Sequence, residues 1–218
     1  MNEADSRYWG WLEENRSAAF VGSGSVWIIA ALLSGLDVGF DTIAGLNPGR
    51  FVLPVAFLGP PLLAIGLLGL YRSLRTYAPE LIDYGAFLAV ASGLVTVVFD
   101  VAFVLDTTSV SVPWPASGSV IIAGVAGVAF VVSPFGSVLF GIVSSRTQVV
   151  PSGIGALLMT PLILCVLWLL LYAHVFFTQL PAFLGGVSEP AVDSLVGAVA
   201  TILGLSFVLI GSRLDHSD

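Results

Sequence analysis

Apolar residues are gathered into six long runs that are separated by shorter stretches of polar residues. Each run holds about 20 residues, and an α-helix of that length spans the ~30 Å hydrocarbon core of a bilayer. The pattern therefore predicts an all-α, polytopic membrane protein with six transmembrane helices in a compact bundle. The predicted transmembrane domain covers residues 17–211, with helices at about 17–36, 51–71, 84–105, 120–143, 154–177 and 191–211.

The two ends of the chain are more polar than the runs between them. Residues 1–16 combine charged side chains with Tyr8, Trp9 and Trp11, and such aromatic residues favour the headgroup region of a membrane. We expect this stretch to be an interfacial segment on the cytoplasmic side, and residues 212–218 to be a cytoplasmic tail. The first apolar run is too long for a signal peptide and lacks a small-residue cleavage site, so we expect it to remain as a membrane anchor.

Small residues and prolines recur inside the predicted helices. Glycine and alanine spaced four apart lie on one helix face and let a neighbouring backbone approach closely. The residues expected at such packing faces are Gly85, Ala89, Gly93, Ala123, Gly127, Ala200 and Gly204. Proline removes a backbone hydrogen bond and bends or breaks a helix. Kinks are therefore expected at Pro60, Pro61, Pro134 and Pro161. Broken helices line the sites of some transporters, but a bend can also serve packing alone.

The composition supports lipid as the solvent for much of the chain. The sequence is 57% hydrophobic and only 10% charged, whereas soluble domains carry about 25% charged residues. All seven basic residues are arginine, and 14 acidic residues give a net charge of −7. An acidic chain without lysine resembles the proteins of extremely halophilic archaea, in which high salt screens the repulsion between like charges. A genome rich in arginine codons is the alternative explanation.

The distribution of arginine predicts how the bundle is oriented. With six spans both termini lie on the same side, and that side collects six of the seven arginines. They are Arg7, Arg16, Arg72, Arg75, Arg146 and Arg213; the other side has Arg50. Arginine-rich loops stay in the cytoplasm, so we expect a multi-pass plasma-membrane protein with both termini cytoplasmic.

The chain also contains a weak internal periodicity. Gly69 is followed by Pro79, and Gly141 is followed by Pro151 at the same spacing, while Gly211 ends the last apolar run. The period of about 70 residues would fit three helical hairpins in one orientation. Apolar helices that end in glycine and arginine also recur by chance, so common descent of the hairpins is a hypothesis.

Asp100 is the one acidic residue deep inside an apolar run. A charged side chain at the centre of a membrane helix costs about 2.5–3.5 kcal/mol on insertion scales and usually meets a partner or water. Helix packing could bring Asp100 close to His174, Asp193 and Arg50 in the outer third of the bundle. Carboxylates with one imidazole suit a proton relay or a site for a hard cation. The alternative is a structural polar contact, for instance with the hydroxyl group of Thr96.

No catalytic residue, metal site or cofactor is predicted. The chain has one cysteine, Cys165, and two histidines, so the usual metal-ligand patterns cannot form. The run from Gly22 to Ser25 is similar to the serine element of intramembrane proteases. However, Ser23 and His174 should lie ~20 Å or more apart, which excludes direct proton transfer. Phosphate-binding glycine loops and nucleic-acid-binding basic patches are also missing from the sequence.

Two function classes remain open from the sequence. The first is a small transporter or channel-like protein in which Asp100 binds a proton or a cation. The second is a non-catalytic membrane subunit or scaffold that packs against a partner protein or against further copies of itself. The surroundings of Asp100 distinguish them, because a water-lined cavity favours the first class and a dry contact between helices favours the second.

Overall fold

The computed structural model describes residues 3–39, 49–107, 116–147, 149–162 and 189–215, and these residues are α-helical without any strand. The described residues form seven helices. They are α1 (Glu3–Gly39), α2 (Gly49–Phe57), α3 (Gly59–Arg75), α4 (Pro79–Thr107), α5 (Ala116–Thr147), α6 (residues 154–162) and α7 (Glu189–Asp215). The direction of the chain reverses from α1 to α2–α3, from α3 to α4 and from α4 to α5, whereas α7 runs in the same direction as α5.

Four helices within the described residues are long and apolar enough to cross a membrane. They contain the segments Ser6–Ser34, Pro54–Arg75, Pro79–Phe103 and Gly197–Asp215. The all-helical prediction is thereby confirmed for the described residues, and the chain has the character of a membrane protein. The count of six spans and the hairpin repeat stay predictions, since much of the predicted 154–177 helix lies outside the described residues.

The side chains are distributed as expected for a protein surrounded by lipid. On α4 large apolar side chains point outward along one stripe, among them Phe87, Leu94 and Val98, each more than 60% exposed. Hydroxyl groups point inward instead, and the side chains of Ser23 and Thr96 are fully buried. An exposed apolar stripe of this length would be unfavourable in water and is favourable against acyl chains.

The first helix begins earlier than the sequence suggested. The first helix was expected to begin at about residue 17, but Glu3–Gly39 is one continuous helix. The placement of residues 1–16 at the membrane interface stays a prediction. The residues that join the two parts include neither proline nor a turn signal, so nothing interrupts the helix. The early part is held to the bundle by Leu12, which is 1% exposed, and by Trp9, whose ring stacks on Tyr71 at 5.3 Å.

The second predicted helix, 51–71, is interrupted at Leu58 and forms the two helices α2 and α3. Pro60 and Pro61 lack backbone N–H groups, so the preceding turn loses two of its helical hydrogen bonds. Both prolines lie in the first turn of α3, where an N–H donor is not needed. At the break, the hydroxyl group of Ser23 in α1 donates a hydrogen bond of 3.0 Å to the carbonyl oxygen of Gly59. Neither Pro134 in α5 nor Pro161 in α6 breaks its helix, and kinks at these two residues stay predictions.

Glycines allow the helices to approach one another closely. Gly24 of α1 and Gly204 of α7 face each other, and a Cβ atom on Gly204 would lie 2.6 Å from the carbonyl oxygen of Gly24. Gly85 and Ala89 of α4 similarly face Gly136 of α5 in the same chain. Gly93 lies against Pro61 of α3, and Ala200 is buried in α7. The side chains of Ala123 and Gly127 lie outside the described residues.

One end of the bundle, called here the arginine end, collects the first turns of α1 and the last turns of α3, α5 and α7. Its arginines are Arg7, Arg16, Arg72, Arg75, Arg146 and Arg213. Long-range hydrogen bonds show that these segments meet. The hydroxyl group of Ser17 donates a hydrogen bond of 2.8 Å to the carbonyl oxygen of Gly211. The guanidinium group of Arg213 donates one of 3.0 Å to the carbonyl oxygen of Ser152.

Candidate functional site

The side chain of Asp100 lies near the end of α4 that is remote from the arginine end. Both of its carboxyl oxygen atoms are buried, and neither has a hydrogen-bond partner among the residues that the structure describes. A buried polar group without a partner costs free energy, and a buried charge costs far more. Asp100 is therefore a position at which a proton or a bound cation would relieve an unfavourable arrangement.

The neighbouring hydroxyl groups are directed elsewhere. Thr96, which the sequence suggested as a hydrogen-bond donor to Asp100, donates instead to carbonyl oxygens of its own helix, at 3.1 Å to Ser92 and 3.0 Å to Gly93. The Ser92 hydroxyl group likewise bonds to the carbonyl oxygens of Leu88 and Ala89. Membrane helices commonly satisfy serine and threonine in this way, because no water is nearby. These contacts leave the carboxyl group of Asp100 unassisted.

Asp100 lies beside the break between α2 and α3. The ring of Phe57, the last residue of α2, packs edge-on against Phe99 with the centroids 4.8 Å apart. Phe99 in turn stacks with Phe103 at 6.5 Å. Two turns before Asp100, Gly93 meets the backbone of Pro61. Phe99, the residue before Asp100, therefore joins this part of α4 to the end of the short helix α2.

For the other three residues of the predicted cluster, the structure describes the backbone of two, Arg50 and Asp193. Arg50 lies in the first turn of α2 and Asp193 in the first turn of α7, and both helices start at the end of the bundle where α4 finishes. The side chains of Arg50 and Asp193 and the whole of His174 lie outside the described residues. The grouping of the four residues therefore stays a prediction. Within the described part of the chain, no three His, Cys, Asp or Glu side chains are arranged to hold a metal ion.

A polar cluster joins α3 to α4 at the arginine end. The Arg75 guanidinium group donates to both carboxylate oxygens of Asp83, at 2.9 and 3.1 Å, and lies over the ring of Tyr71. The Tyr71 hydroxyl group donates to the same carboxylate at 2.6 Å. These three side chains satisfy one another's hydrogen-bonding groups at the turn between two helices, so a structural role is sufficient to explain them. They fix the α3–α4 turn.

Sequence reasoning missed a cavity of about 830 Å³ at the arginine end. Its walls come from five helices, and its polar lining includes Arg16 of α1, Ser73 of α3, Ser144 of α5 and Ser152 before α6. The sequence carried one usable signal, because serine and glycine are dense on both sides of the α5–α6 connection. The contribution of Arg16 to the cavity could not be predicted, because Arg16 is far from these residues in the sequence.

Comparisons with known proteins add no functional assignment. No protein-family model, no curated protein sequence and no solved structure matches this chain. The buried carboxyl group beside the helix break and the polar cavity at the arginine end are the features of the described residues on which function can be argued.

Proposed function

We propose that this protein is a small membrane transporter or channel-like protein in which Asp100 binds a proton or a cation. The observation that carries the proposal is the burial of both carboxyl oxygens without a hydrogen-bond partner in the described structure. Ionisable residues inside membrane spans are costly and usually mark ion or proton pathways. The surroundings of Asp100 are dry, because both of its carboxyl oxygens are closed off from solvent. By the criterion given with the sequence, that observation favours the second candidate, a non-catalytic membrane subunit or scaffold. The lack of a hydrogen-bond partner among the described residues favours a bound proton or cation, because a residue kept only for packing would be expected to use the nearby hydroxyl groups.

The helix break supplies a part that can rearrange when Asp100 changes its charge. The helix α2 has nine residues, ends at Phe57 and touches the turn that carries Asp100 through Phe99. Transporters often place substrate and ion sites at interrupted helices, where the chain can move without unfolding a complete span. In the proposed mechanism, binding at Asp100 changes the packing of Phe99 against Phe57 and so shifts α2.

The proposed orientation follows from the arginines. The arginine end faces the cytoplasm, the protein resides in the plasma membrane, and Asp100 lies towards the outer surface. His174, Asp193 and Arg50 are proposed as further members of the site, and the proposal is supported for two of them because the helices that carry Arg50 and Asp193 begin at the end of the bundle where α4 finishes. Arg50 would balance the carboxylate when no cation is bound, and His174 would relay protons at neutral pH.

The proposal is tested by thermal unfolding of the purified protein in high salt, across pH and with added monovalent and divalent cations. Wild type should gain stability with the bound species, by about 2.7 kcal/mol at a hundred times the Kd. Asp100→Asn should lose that response. Glu80→Gln is the matched control, because Glu80 is an exposed acid in the first turn of the same helix and should retain it.

Two results would count against a transport site. If Asp100→Asn and wild type respond alike to pH and cations, the carboxyl group binds neither. If the substitution also leaves the protein equally or more stable, Asp100 is a structural residue, and the role of a non-catalytic membrane subunit or scaffold is favoured instead. If wild type and Glu80→Gln gain stability with the bound species and Asp100→Asn does not, flux measurements in proteoliposomes are justified.

A further inference from the structure

We propose that the cavity at the arginine end binds a phosphate group, carried either by a phospholipid headgroup or by a soluble phosphorylated compound. This inference is independent of the site proposed at Asp100, which lies towards the opposite end of α4. Three features of the cavity support it: a cationic side chain in its wall, a buried hydroxyl group without a partner, and the first turn of a helix.

The cationic wall is formed by Arg16, which is half-buried and lines the cavity. The backbone of α1 comes close to α3 at this level, because Gly69 has no side chain and a Cβ there would lie 2.6 Å from the carbonyl oxygen of Leu12. Arg213 adds a second positive charge at the edge, where it donates to the carbonyl oxygen of Ser152. None of the described lining residues is Asp or Glu. The cavity therefore favours an anion.

The hydroxyl groups that line the cavity differ in whether they already donate a hydrogen bond within the protein. Ser73 and Ser145 donate to carbonyl oxygens of their own helices, each at 2.9 Å. Ser144 lines the same cavity and is only 5% exposed, yet its hydroxyl group has no hydrogen-bond partner among the described residues. Buried hydroxyl groups are nearly always paired, so this one is available for a ligand. Its oxygen atom is closed off from solvent in this conformation, so a rotation about the Cα–Cβ bond of Ser144 presents it to a ligand in the cavity.

The first turn of α6 completes the cavity wall. Gly155 and Ala156 line it, directly after the turn at Gly153, whose φ of 91° is accessible to glycine. The first N–H groups of a helix point towards its N-terminus, where the helix dipole also favours negative charge. In α6 the N–H groups of Ile154 and Leu157 already donate to carbonyl oxygens of the preceding turn, so the first-turn donors left for a ligand are the N–H groups of Gly155 and Ala156. An arginine, a free hydroxyl group and a helix N-terminus together form the donor set that phosphate groups commonly meet.

The volume is compatible with both sources of phosphate. A cavity of about 830 Å³ falls within the range of about 300–1,000 Å³ that is usual for small-molecule sites, and it exceeds the size of inorganic phosphate alone. It also lies among the helix ends, where the headgroups of the surrounding lipid would be found if the arginine end faces the membrane surface. A glycerophosphate headgroup and a sugar or nucleoside phosphate share the chemistry that the walls recognise.

The test measures Tm for the full chain in a non-ionic detergent at constant ionic strength. One series adds inorganic phosphate in place of chloride, and a second adds dioleoylphosphatidylglycerol, with uncharged dioleoylglycerol as the lipid control. Bound ligand at about ten times its Kd should raise Tm by roughly 3–6 °C for a protein of this size. A shift with the phospholipid alone assigns the site to a headgroup, and a shift with inorganic phosphate assigns it to soluble phosphates.

Three variants connect the shift to the cavity. Arg16→Gln should abolish it, whereas Arg146→Gln removes the same charge from an exposed residue outside the lining and should retain it. Ser144→Ala changes no charge and should reduce the shift, which keeps the test decisive if Arg16→Gln does not fold. The proposal is overturned if neither phosphate nor phospholipid raises the Tm of wild type. It is also overturned if Arg146→Gln loses as much of the Tm shift as Arg16→Gln, or if Ser144→Ala shows the full wild-type shift.

Discussion

The crossing of α1 and α7 is predicted to be intolerant of a single added methyl group. In Gly24→Ala the new Cβ would lie 2.8 Å from the backbone nitrogen of Val208 and 2.9 Å from its Cγ2 atom, and it would also overlap the carbonyl oxygen of Gly204. Two of these three atoms belong to the backbone, so they cannot move aside by a rotamer change. The two helices would have to separate.

The expected cost follows from that separation. Ordinary contacts lie at about 3.5–4.0 Å, so relief of the 2.8 Å contact requires a displacement of at least about 0.7 Å at the crossing, and the shorter contact with the carbonyl oxygen of Gly204 requires more. A gap of that size forfeits roughly a quarter to a half of each dispersion contact. Overpacking of this kind typically costs about 1–3 kcal/mol, while replacement of glycine by alanine in a helix returns at most about 1 kcal/mol. We expect Gly24→Ala to be destabilised by about 1–2 kcal/mol.

The assay is reversible unfolding in mixed micelles, with SDS titrated into a non-ionic detergent and helicity followed by circular dichroism. Gly22→Ala is the matched control, because its Cβ would meet the nearest atom, Cδ1 of Leu62, at an ordinary 3.5 Å. That variant should be as stable as wild type or slightly more stable. If Gly24→Ala proves as stable as Gly22→Ala, the close approach of α1 and α7 is refuted.

Two further predictions concern the turns at the arginine end. Gly153→Ala should lower the free energy of unfolding by about 1–2 kcal/mol, because its φ of 91° is strained for alanine and its Cβ would meet the guanidinium group of Arg213. Gly153→Asn should lose less stability in the same SDS titration, and equal losses in the two variants would contradict backbone strain as the cause. Asp83→Asn should lower Tm slightly in dilute buffer, since it disrupts the exposed pair with Arg75. That loss should shrink in molar salt, and a loss independent of salt would contradict an ionic origin.

Local features of the fold were accessible from the sequence. The apolar runs predict helices because the bilayer demands internally satisfied backbone hydrogen bonds over a set length. Two of the three prolines of the second run, Pro60 and Pro61, lie beside the break because their missing N–H groups act on the adjacent turn. Small residues such as Gly85 and Gly204 do face neighbouring helices closely. Each of these inferences needs only residues within one helix.

Features that depend on contacts between distant residues were not accessible. Ser17 and Gly211 are hydrogen-bonded across 194 positions of sequence, and the cavity beside them gathers residues from five helices. The continuous first helix was missed for a related reason. Charged residues near Trp9 resembled an interfacial segment, but Leu12 and Trp9 gain packing against the bundle, and that packing keeps the segment helical.

The placement of glycines also suggests which part of the bundle can move. Close backbone approaches join α1 to α7 at Gly204 and α4 to α5 at Gly136, so each pair should behave as a rigid unit. The helix α2 differs, because the close glycine approaches at the break, Gly59 to the ring of Trp27 and Gly93 to Pro61, involve α3 and not α2. The hydrogen bond from Ser23 also ends on α3, and α2 itself contributes the ring contact between Phe57 and Phe99. A single hydrogen bond between membrane helices contributes only about 0.6 kcal/mol on average. If binding at Asp100 drives a rearrangement, α2 is therefore the element in which the displacement should be found.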